Sequence, residues 1–103
     1  MGLFSFLFGT KNDSVKTLLD NDAVILDVRT QTEYNGDHIE NAIHIPISEL
    51  KNRIEEIKSL NKPVVAHCKS GVRSARAVQI LKSEGVKAAN GGGIATMKKV
   101  LQE

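Results

Sequence analysis

Short continuous apolar runs alternate with amphipathic segments along this chain, and this alternation limits its fold more than any other feature. The runs 23–26, 42–45, 63–67 and 86–89 have the length and composition of strands buried on both faces. The segments between them have helical patterns, so crossover connections must join successive strands, which gives a parallel sheet. The sequence therefore predicts a three-layer α/β domain with a mainly parallel sheet flanked by helices.

The helices can be placed from their apolar faces and their end signals. Ser48 is expected to cap one helix. The apolar side of this helix consists of Ile47, Leu50, Ile54 and Ile57. A later helix is predicted over 74–84 and should end at Gly85, because glycine is favoured just after helix C-termini.

The last part of the chain combines a glycine cluster with an amphipathic segment. Asn90-Gly-Gly-Gly93 is interpreted as a turn, because glycine adopts backbone conformations that other residues avoid. Ile94, Met97 and Leu101 should then form one face of a final helix.

Length predicts a single domain. The 103 residues have room for one compact unit, expected over 12–103, after an apolar N-terminal stub over 1–11. The stub lacks the basic region and cleavage site of a signal peptide and is far shorter than the roughly 20 residues of a membrane span. No membrane partner is therefore expected. The single cysteine excludes an intramolecular disulfide and favours a reducing compartment, so a cytoplasmic location is predicted.

The formal net charge is only +2, but the charges are unevenly distributed. Residues 1–50 contain three Lys/Arg and eight Asp/Glu, whereas residues 51–103 contain eleven and four. The charges of the basic half are dispersed among apolar positions, and the chain has one tyrosine and no tryptophan to stack on bases. This pattern argues against a nucleic-acid partner. A small anionic substrate near the basic half is compatible with it.

Cys68 lies where an α/β fold places its functional residues, at the carboxyl end of a predicted strand. The N–H groups of the following loop and the partial positive charge of the next helix N-terminus stabilise an anion there. Gly71 allows this loop to turn tightly. The pKa of Cys68 should therefore fall below its reference value of about 8.5. A lone cysteine is also compatible with a small buried apolar residue.

The three histidines give no sign of a Cys–His pair or of a metal centre. His67 is adjacent to Cys68, and adjacent residues of a strand point to opposite faces, so His67 is expected to be structural. His38 and His44 are interpreted in the same way. Three separated histidines and one cysteine lack the spacing of metal ligands, so no metal site is predicted.

Three motifs occur along the chain in a characteristic order. The first is Asp27-Val-Arg29, followed by Glu33-Tyr34, His38-Ile39, Ala42 and Ile45-Pro46. The second is His67-Cys-Lys-Ser-Gly-Val-Arg-Ser74, and the third is Asn90-Gly-Gly-Gly-Ile94. They resemble, in turn, the first signature, the active-site loop and the late Gly-Gly segment of single-domain rhodaneses. The resemblance covers about residues 12–101.

The resemblance implies a rhodanese-like sheet of about five parallel strands and a sulfurtransferase reaction in two half-steps. Cys68 would take the outer sulfur of a small anionic donor such as thiosulfate and form a persulfide. A thiol or a protein cysteine would then accept this sulfur. No metal or organic cofactor is implied, because the enzyme itself carries the transferred atom.

The resemblance also implies roles for residues around Cys68. The loop residues that would bind the donor and surround the persulfide with backbone amides are Lys69, Ser70, Gly71, Val72 and Arg73. Lys69 and Arg73 would attract the anion, although Arg73 could instead pair with Asp27 or Glu33. Asp27, Arg29 and Glu33 are therefore expected to support the site.

The chain departs from the family pattern at three positions. Asp37 and Asn41 flank His38-Ile39 where the family commonly has glycine. Both residue types tolerate the left-handed conformation better than most, so the turns should survive. Ala95 occupies a position where the family often has tryptophan, which leaves that end of the pocket less covered and affects substrate choice more than fold.

Two other functions fit the same fold. An arsenate reductase or phosphatase would use a cysteine loop that ends in arginine, but such loops have five residues between the two, and this chain has four. A non-catalytic rhodanese-like module that binds partners typically lacks the cysteine, which is present here. Sulfur transfer is therefore the preferred interpretation.

Overall fold

The computed structural model describes residues 11–102. The expected stub over 1–11 lies outside the described residues except for Lys11, which begins the first helix. The strands are β1 (Val24–Asp27), β2 (Ile43–His44), β3 (Val64–Cys68) and β4 (Ala88–Gly93). The helices are α1 (Lys11–Asp20), α2 (Gln31–Gly36), α3 (Ile47–Leu50), α4 (Ile54–Lys58), α5 (Val72–Ser83) and α6 (Ile94–Gln102).

The strands form one parallel sheet with the order β2-β1-β3-β4, so the predicted α/β class is confirmed. Leu26 of β1 pairs with Ala66 of β3 on one side and with Ile43 of β2 on the other. Each of the four apolar runs supplies one strand. The described part of the sheet therefore has four strands, and the expectation of about five is wrong for residues 11–102.

Strand β3 divides the core into two layers because its side chains alternate between the two faces of the sheet. Val64 and Ala66 pack with Leu81 of α5 on one face. Val65 packs with Met97 of α6 on the other. All five residues of β3 are buried, as the continuous apolar run predicts for a central parallel strand.

Strand β4 extends through the glycine cluster, so the interpretation of 90–93 as a turn is wrong. Two of these glycines are required by close packing. A Cβ at Gly91 would collide with the Met97 side chain, and a Cβ at Gly93 would collide with the Lys69 carbonyl oxygen. The cluster is therefore a strand segment that other groups can approach closely.

Three helix predictions need correction. The helix expected after Ser48 is two short helices, α3 and α4, and Pro46 occupies the N-cap position of α3. Helix α5 begins at Val72 rather than at residue 74, because the left-handed Gly71 (φ 99°) turns the chain directly into it. In α6 the buried face contains Met97 and Val100, whereas Leu101 is 43% exposed.

The two positions expected to replace glycines behave differently. Asn41 adopts the left-handed conformation with φ 71°, as predicted. Asp37 has φ −172°, an extended conformation that any residue adopts, so its tolerance of the left-handed region is not used.

Within residues 11–102, no helix has the length and apolar character that crossing a bilayer requires.

The two-layer core predicts a clear contrast between two leucines. Leu81→Ala removes a fully buried side chain of α5 and should lower the free energy of unfolding by about 2–5 kcal/mol. Leu101→Ala, the matched control on half-exposed α6 surface, should cost less than about 1 kcal/mol. Urea unfolding of both variants measures the difference. Equal losses would contradict the assignment of the core.

Candidate active site

Cys68 is the last residue of β3 and lies at the carboxyl edge of the sheet, as the sequence predicts. Its side chain is buried, with 1% of the residue exposed. The chain then turns through Lys69, Ser70 and Gly71 into α5, whose 12 residues direct their N-terminus towards this edge. The left-handed conformation of Gly71 and its close approach to Gly92 both disfavour a larger residue at this turn.

Several hydrogen-bond donors converge on the Cys68 sulfur. The Gly71 N–H donates to Sγ at 3.0 Å. The Ser74 N–H and the Ser74 hydroxyl each lie 3.4 Å from the same atom. The Ser74 N–H belongs to the first turn of α5, where N–H groups have no intrahelical acceptor. The loop thus forms a compact anion-binding cradle around one sulfur atom.

Two opposing effects determine the acidity of this thiol. Burial raises the pKa of Cys68, because it disfavours the charged form. Hydrogen bonds from the Ser74 hydroxyl and from the N–H groups of Ser74, Ser70 and Gly71 outweigh burial and lower the pKa from 9.0 to about 7. A large fraction of Cys68 is therefore a thiolate near neutral pH, which is the form that attacks sulfur.

Arg73 pairs with Glu33, one of the two carboxylates named for it from the sequence. Its Nη1 and Nη2 donate to the two carboxylate oxygens of Glu33 at 2.7 and 3.0 Å. The Arg73 guanidinium, together with the N–H of Thr30, lowers the pKa of Glu33 to about 2. Thr30 and Glu33 also form a capping box at the start of α2. Arg73 therefore fastens α5 to α2.

The other expected carboxylate, Asp27, binds Arg29 instead of Arg73. Asp27 is fully buried, and Arg29 donates to it from its backbone N–H at 2.9 Å and from Nη2 at 2.7 Å. Burial raises the pKa of Asp27, but the hydrogen bonds from Arg29 outweigh this effect and lower it. Arg29 also donates to the Asp37 carbonyl at 2.7 Å, so the pair holds the β1–α2 connection in place.

The histidines occupy structural positions. His67 is fully buried, and its Nε2 lies 3.8 Å from Asp27 without a hydrogen-bond partner among the described residues. Burial lowers the pKa of His67 and keeps the ring neutral. The rings of His38 and His44 both stack on Tyr34. Among residues 11–102, no group of three His, Cys, Asp or Glu side chains could hold a metal ion.

Three of the predicted loop residues, Lys69, Ser70 and Val72, are exposed. Val72 is 75% exposed. Lys69 is also exposed and forms no ion pair with any of the residues 11–102. Ala95, the position lacking the expected tryptophan, is exposed at the start of α6.

Sequence reasoning missed Asn90 and the contact that Ser74 makes with the sulfur. The Ser74 hydroxyl lies 2.7 Å from Asn90 Oδ1, and Asn90 Nδ2 donates to the Gly71 carbonyl at 3.0 Å. The sequence predicts Ser74 only as a helix start and as the last residue of the second motif, and Asn90 only as part of a turn and of the third motif. A side-chain amide directly after the predicted strand 86–89 was the available signal, because the ends of parallel strands meet at one edge.

Comparison with known proteins places this arrangement in a wider context. The family model for the rhodanese-like domain matches residues 11–95. YqhL of Bacillus subtilis is 46% identical over 63 residues, which cover 61% of this chain and 49% of that protein. The thiosulfate sulfurtransferase GlpE of Coxiella burnetii is 38% identical over 66 residues, which cover 64% of this chain and 61% of that protein. This chain thus spans less than two thirds of the length of these curated relatives.

A solved structure extends the similarity to the fold. The human single-domain sulfurtransferase TSTD1 superposes with a TM-score of 0.62 at 29% sequence identity. The match covers 78% of this chain and 84% of the human chain.

The donors around Sγ predict how the thiol titrates. Because the chain has one cysteine, the rate of alkylation by iodoacetamide reports on Cys68 alone, and its pH midpoint should lie near 7. Ser74→Ala removes the hydroxyl donor and should move this midpoint upwards by about 1, since a hydrogen bond to an ionised group contributes roughly 1.5 kcal/mol.

The matched control is Ser83→Ala, which removes a hydroxyl from the same helix that binds the Ile80 carbonyl instead. Its alkylation midpoint should equal that of the parent protein. A midpoint above 8 in the parent, or equal midpoints in parent and Ser74→Ala, would contradict the role given to these donors.

Proposed function

This chain belongs to the rhodanese-like domain family, and we propose that it is a sulfurtransferase that carries a sulfane sulfur on Cys68. The observation that supports this most directly is the set of donors around Sγ, which lowers the pKa of Cys68 to about 7. Sulfur transfer needs a nucleophilic thiolate and a way to stabilise the negative charge of a persulfide. The loop after Cys68 offers both with backbone amides, which require no cofactor.

In the first half-step the Cys68 thiolate attacks the outer sulfur of a donor such as thiosulfate. A bond forms between Sγ and that sulfur, while the bond between the two thiosulfate sulfurs breaks. Its electron pair leaves with sulfite. One negative charge remains on the terminal sulfur of the persulfide, and the N–H groups of Ser70, Gly71 and Ser74 surround this end of β3.

In the second half-step an acceptor nucleophile attacks the terminal sulfur. The bond between Sγ and this sulfur breaks, its electron pair returns to Sγ, and Cys68 is again a thiolate. Cyanide would leave as thiocyanate in an assay, and a thiolate acceptor would leave as a persulfide. We propose a small thiol or a protein cysteine as the acceptor in the cell, and a cytoplasmic setting that keeps Cys68 reduced.

The two cations of the loop have different tasks in this proposal. Arg73 is held by both carboxylate oxygens of Glu33, so much of its charge is already compensated. Lys69 is exposed and has no ionic partner among residues 11–102. Lys69 therefore attracts the anionic donor, while Arg73 and the buried Asp27–Arg29 pair maintain the shape of the loop.

Phosphatase or arsenate reductase chemistry is disfavoured by the size of the cradle. Four residues separate Cys68 from Arg73, and Gly71 and Ser74 already donate directly to Sγ. A tetrahedral oxyanion has three non-bridging oxygens to satisfy and needs a wider ring of donors. A single terminal sulfur fits the smaller one. A purely binding module would have no use for a thiol of lowered pKa.

Sulfur loading tests the central role of Cys68. Incubation with thiosulfate should add the mass of one sulfur atom, and cyanide should remove it. Cys68→Ser should show neither the adduct nor thiocyanate formation, because a serine hydroxyl is not ionised at this pH. Intact-protein mass spectrometry and a thiocyanate assay measure the two effects. Turnover retained by Cys68→Ser, or hydrolysis of p-nitrophenyl phosphate that this variant loses, would refute the proposal.

A second test concerns Lys69. Lys69→Ala should raise the thiosulfate KM about fivefold at low salt, since an exposed charge at close range contributes about 1 kcal/mol. The effect should shrink above 0.15 M salt because of screening. Lys87→Ala, which removes an exposed lysine just before β4 at the opposite edge of the sheet, is the matched control. Equal KM values for both variants would assign donor binding to the amides alone.

A further inference from the structure

Asn90 connects the Cys68 loop to β4 through both ends of its side-chain amide. Its Nδ2 donates to the Gly71 carbonyl at 3.0 Å. Its Oδ1 accepts from the Gly92 N–H at 2.9 Å and from the Ser74 hydroxyl at 2.7 Å. The Gly71 carbonyl can only accept and the Gly92 N–H can only donate, so these two contacts determine the orientation of the amide.

The Ser74 hydroxyl has one proton and three acceptors within reach. Asn90 Oδ1 lies 2.7 Å away, Cys68 Sγ lies 3.4 Å away and the Gly92 carbonyl oxygen lies 3.5 Å away. One O–H group cannot donate fully to all of them. The shorter distance favours Asn90, so Asn90 withdraws the hydroxyl from the sulfur while the sulfur is uncharged.

Cys68 Sγ and Asn90 Oδ1 each keep another hydrogen-bond donor when the hydroxyl points to the other one. When it points to Asn90, Sγ retains the N–H groups of Gly71 and Ser74. When it points to Sγ, Asn90 Oδ1 retains the Gly92 N–H. The hydroxyl can therefore exchange partners without leaving a buried polar atom unpaired, which would be the main cost of such a rotation.

We propose that Asn90 is a positioning residue that controls, through the Ser74 hydroxyl, how strongly the Cys68 sulfur is stabilised as an anion. A thiolate attracts the hydroxyl more strongly than a neutral thiol does, because one partner is then ionised. Once Sγ carries an outer sulfur, the charge lies on that sulfur. Sγ becomes a weak acceptor, and the hydroxyl returns to Asn90.

The exchange has a consequence for the second half-step, and this part rests on the proposed sulfur transfer. When the acceptor removes the outer sulfur, the electron pair of the broken bond returns to Sγ. The Ser74 hydroxyl then turns from Asn90 to the new thiolate and stabilises Cys68 as the leaving group. The competition between Asn90 and Cys68 for the hydroxyl does not itself depend on which reaction the protein catalyses.

The charged groups around Cys68 stay the same when Asn90 or Ser74 is replaced by alanine. Lys69 is the cation of the loop, and α5 carries Arg73, Arg76 and Lys82. The carboxylates of neighbouring elements are Glu33 of α2, bound to Arg73, and Asp27 of β1, bound to Arg29. The neutral His67 precedes Cys68 on β3. A change in thiol acidity between the alanine variants therefore reports on the hydrogen bonds alone.

A double-mutant cycle tests the proposal, with the parent protein, Asn90→Ala, Ser74→Ala and the double variant. The readout is the pH midpoint of iodoacetamide alkylation. Asn90→Ala removes the nearest competing acceptor and leaves only the Gly92 carbonyl at 3.5 Å. The midpoint should therefore fall by about 0.5, which corresponds to roughly threefold more thiolate at pH 6. In the Ser74→Ala background the same substitution should not lower the midpoint.

A purely structural role for Asn90 gives the opposite sign. Loss of its Nδ2 would loosen the loop, disperse the amide donors and raise the midpoint in both backgrounds. In Asn90→Ala the Gly71 carbonyl still accepts a hydrogen bond from the Ala75 N–H at 3.0 Å, so one hydrogen bond continues to hold Gly71 to the first turn of α5. A rise in both backgrounds, an equal fall in both, or no change in either would each overturn the proposal.

Asn90→Asp provides a second measurement if Asn90→Ala does not fold. A carboxylate holds the hydroxyl more tightly than an amide oxygen, so the alkylation midpoint should rise more with Ser74 present than in the Ser74→Ala background. The direct effect of the new charge is common to both backgrounds and cancels in the comparison. Equal rises would overturn the proposal. Alkylation needs no sulfur donor, so absence of sulfur loading would refute the sulfurtransferase function while leaving this coupling measurable.

Discussion

The convergence of N–H groups on the Cys68 sulfur depends on how closely the loop approaches β4. A Cβ at Gly93 would collide with the Lys69 carbonyl oxygen, and a Cβ at Gly71 would lie 3.3 Å from the Gly92 Cα. Glycine on both sides of this contact brings two stretches of backbone together. The left-handed turn at Gly71 then directs its N–H towards Sγ, and α5 can begin at the next residue. The positions of the loop, the helix N-terminus and the strand therefore all depend on this close backbone contact.

The acidity of Cys68 follows from a balance that neither burial nor hydrogen bonding determines alone. A sulfur that is 1% exposed would be a poor thiolate in an apolar core, since burial raises its pKa. Four donor groups from Ser70, Gly71 and Ser74 reverse the direction. Because three of them are backbone N–H groups, the effect is built into the loop conformation and tolerates changes of side chain at Ser70 better than changes of conformation at Gly71.

The sequence predicts the features that depend on short segments, and it misses those that depend on contacts between distant ones. Four apolar runs identify the four described strands, and the strand-to-helix position of Cys68 is evident without the structure.

The 90–93 segment was predicted wrongly because its glycines are required by contacts with Lys69 and Met97, and only the fold brings these residues close to it. Asn90 is missed for the same reason, since its partner Ser74 lies 16 residues away. The sequence also could not decide between Glu33 and Asp27 as the partner of Arg73. The structure decides it, because the buried Arg29 already binds Asp27 and Arg73 binds Glu33.

Among residues 11–102 at this edge of the sheet, the cations that hold the loop differ from the cation that is free to attract a ligand. Arg29 and Arg73 each bind a carboxylate through two hydrogen-bond donors, and their positive charge contributes mainly to the connections between β1, α2 and α5. Such bidentate pairs fix geometry as well as charge. With both arginines engaged, the proposed attraction of an anionic donor depends on the exposed Lys69 and on amide dipoles. Amide dipoles act only at short range and in fixed directions, so a ligand must present its charge at the sulfur position itself. In the proposed sulfur transfer, selectivity therefore comes from the shape of a small ring of N–H groups, and only to a lesser extent from net charge.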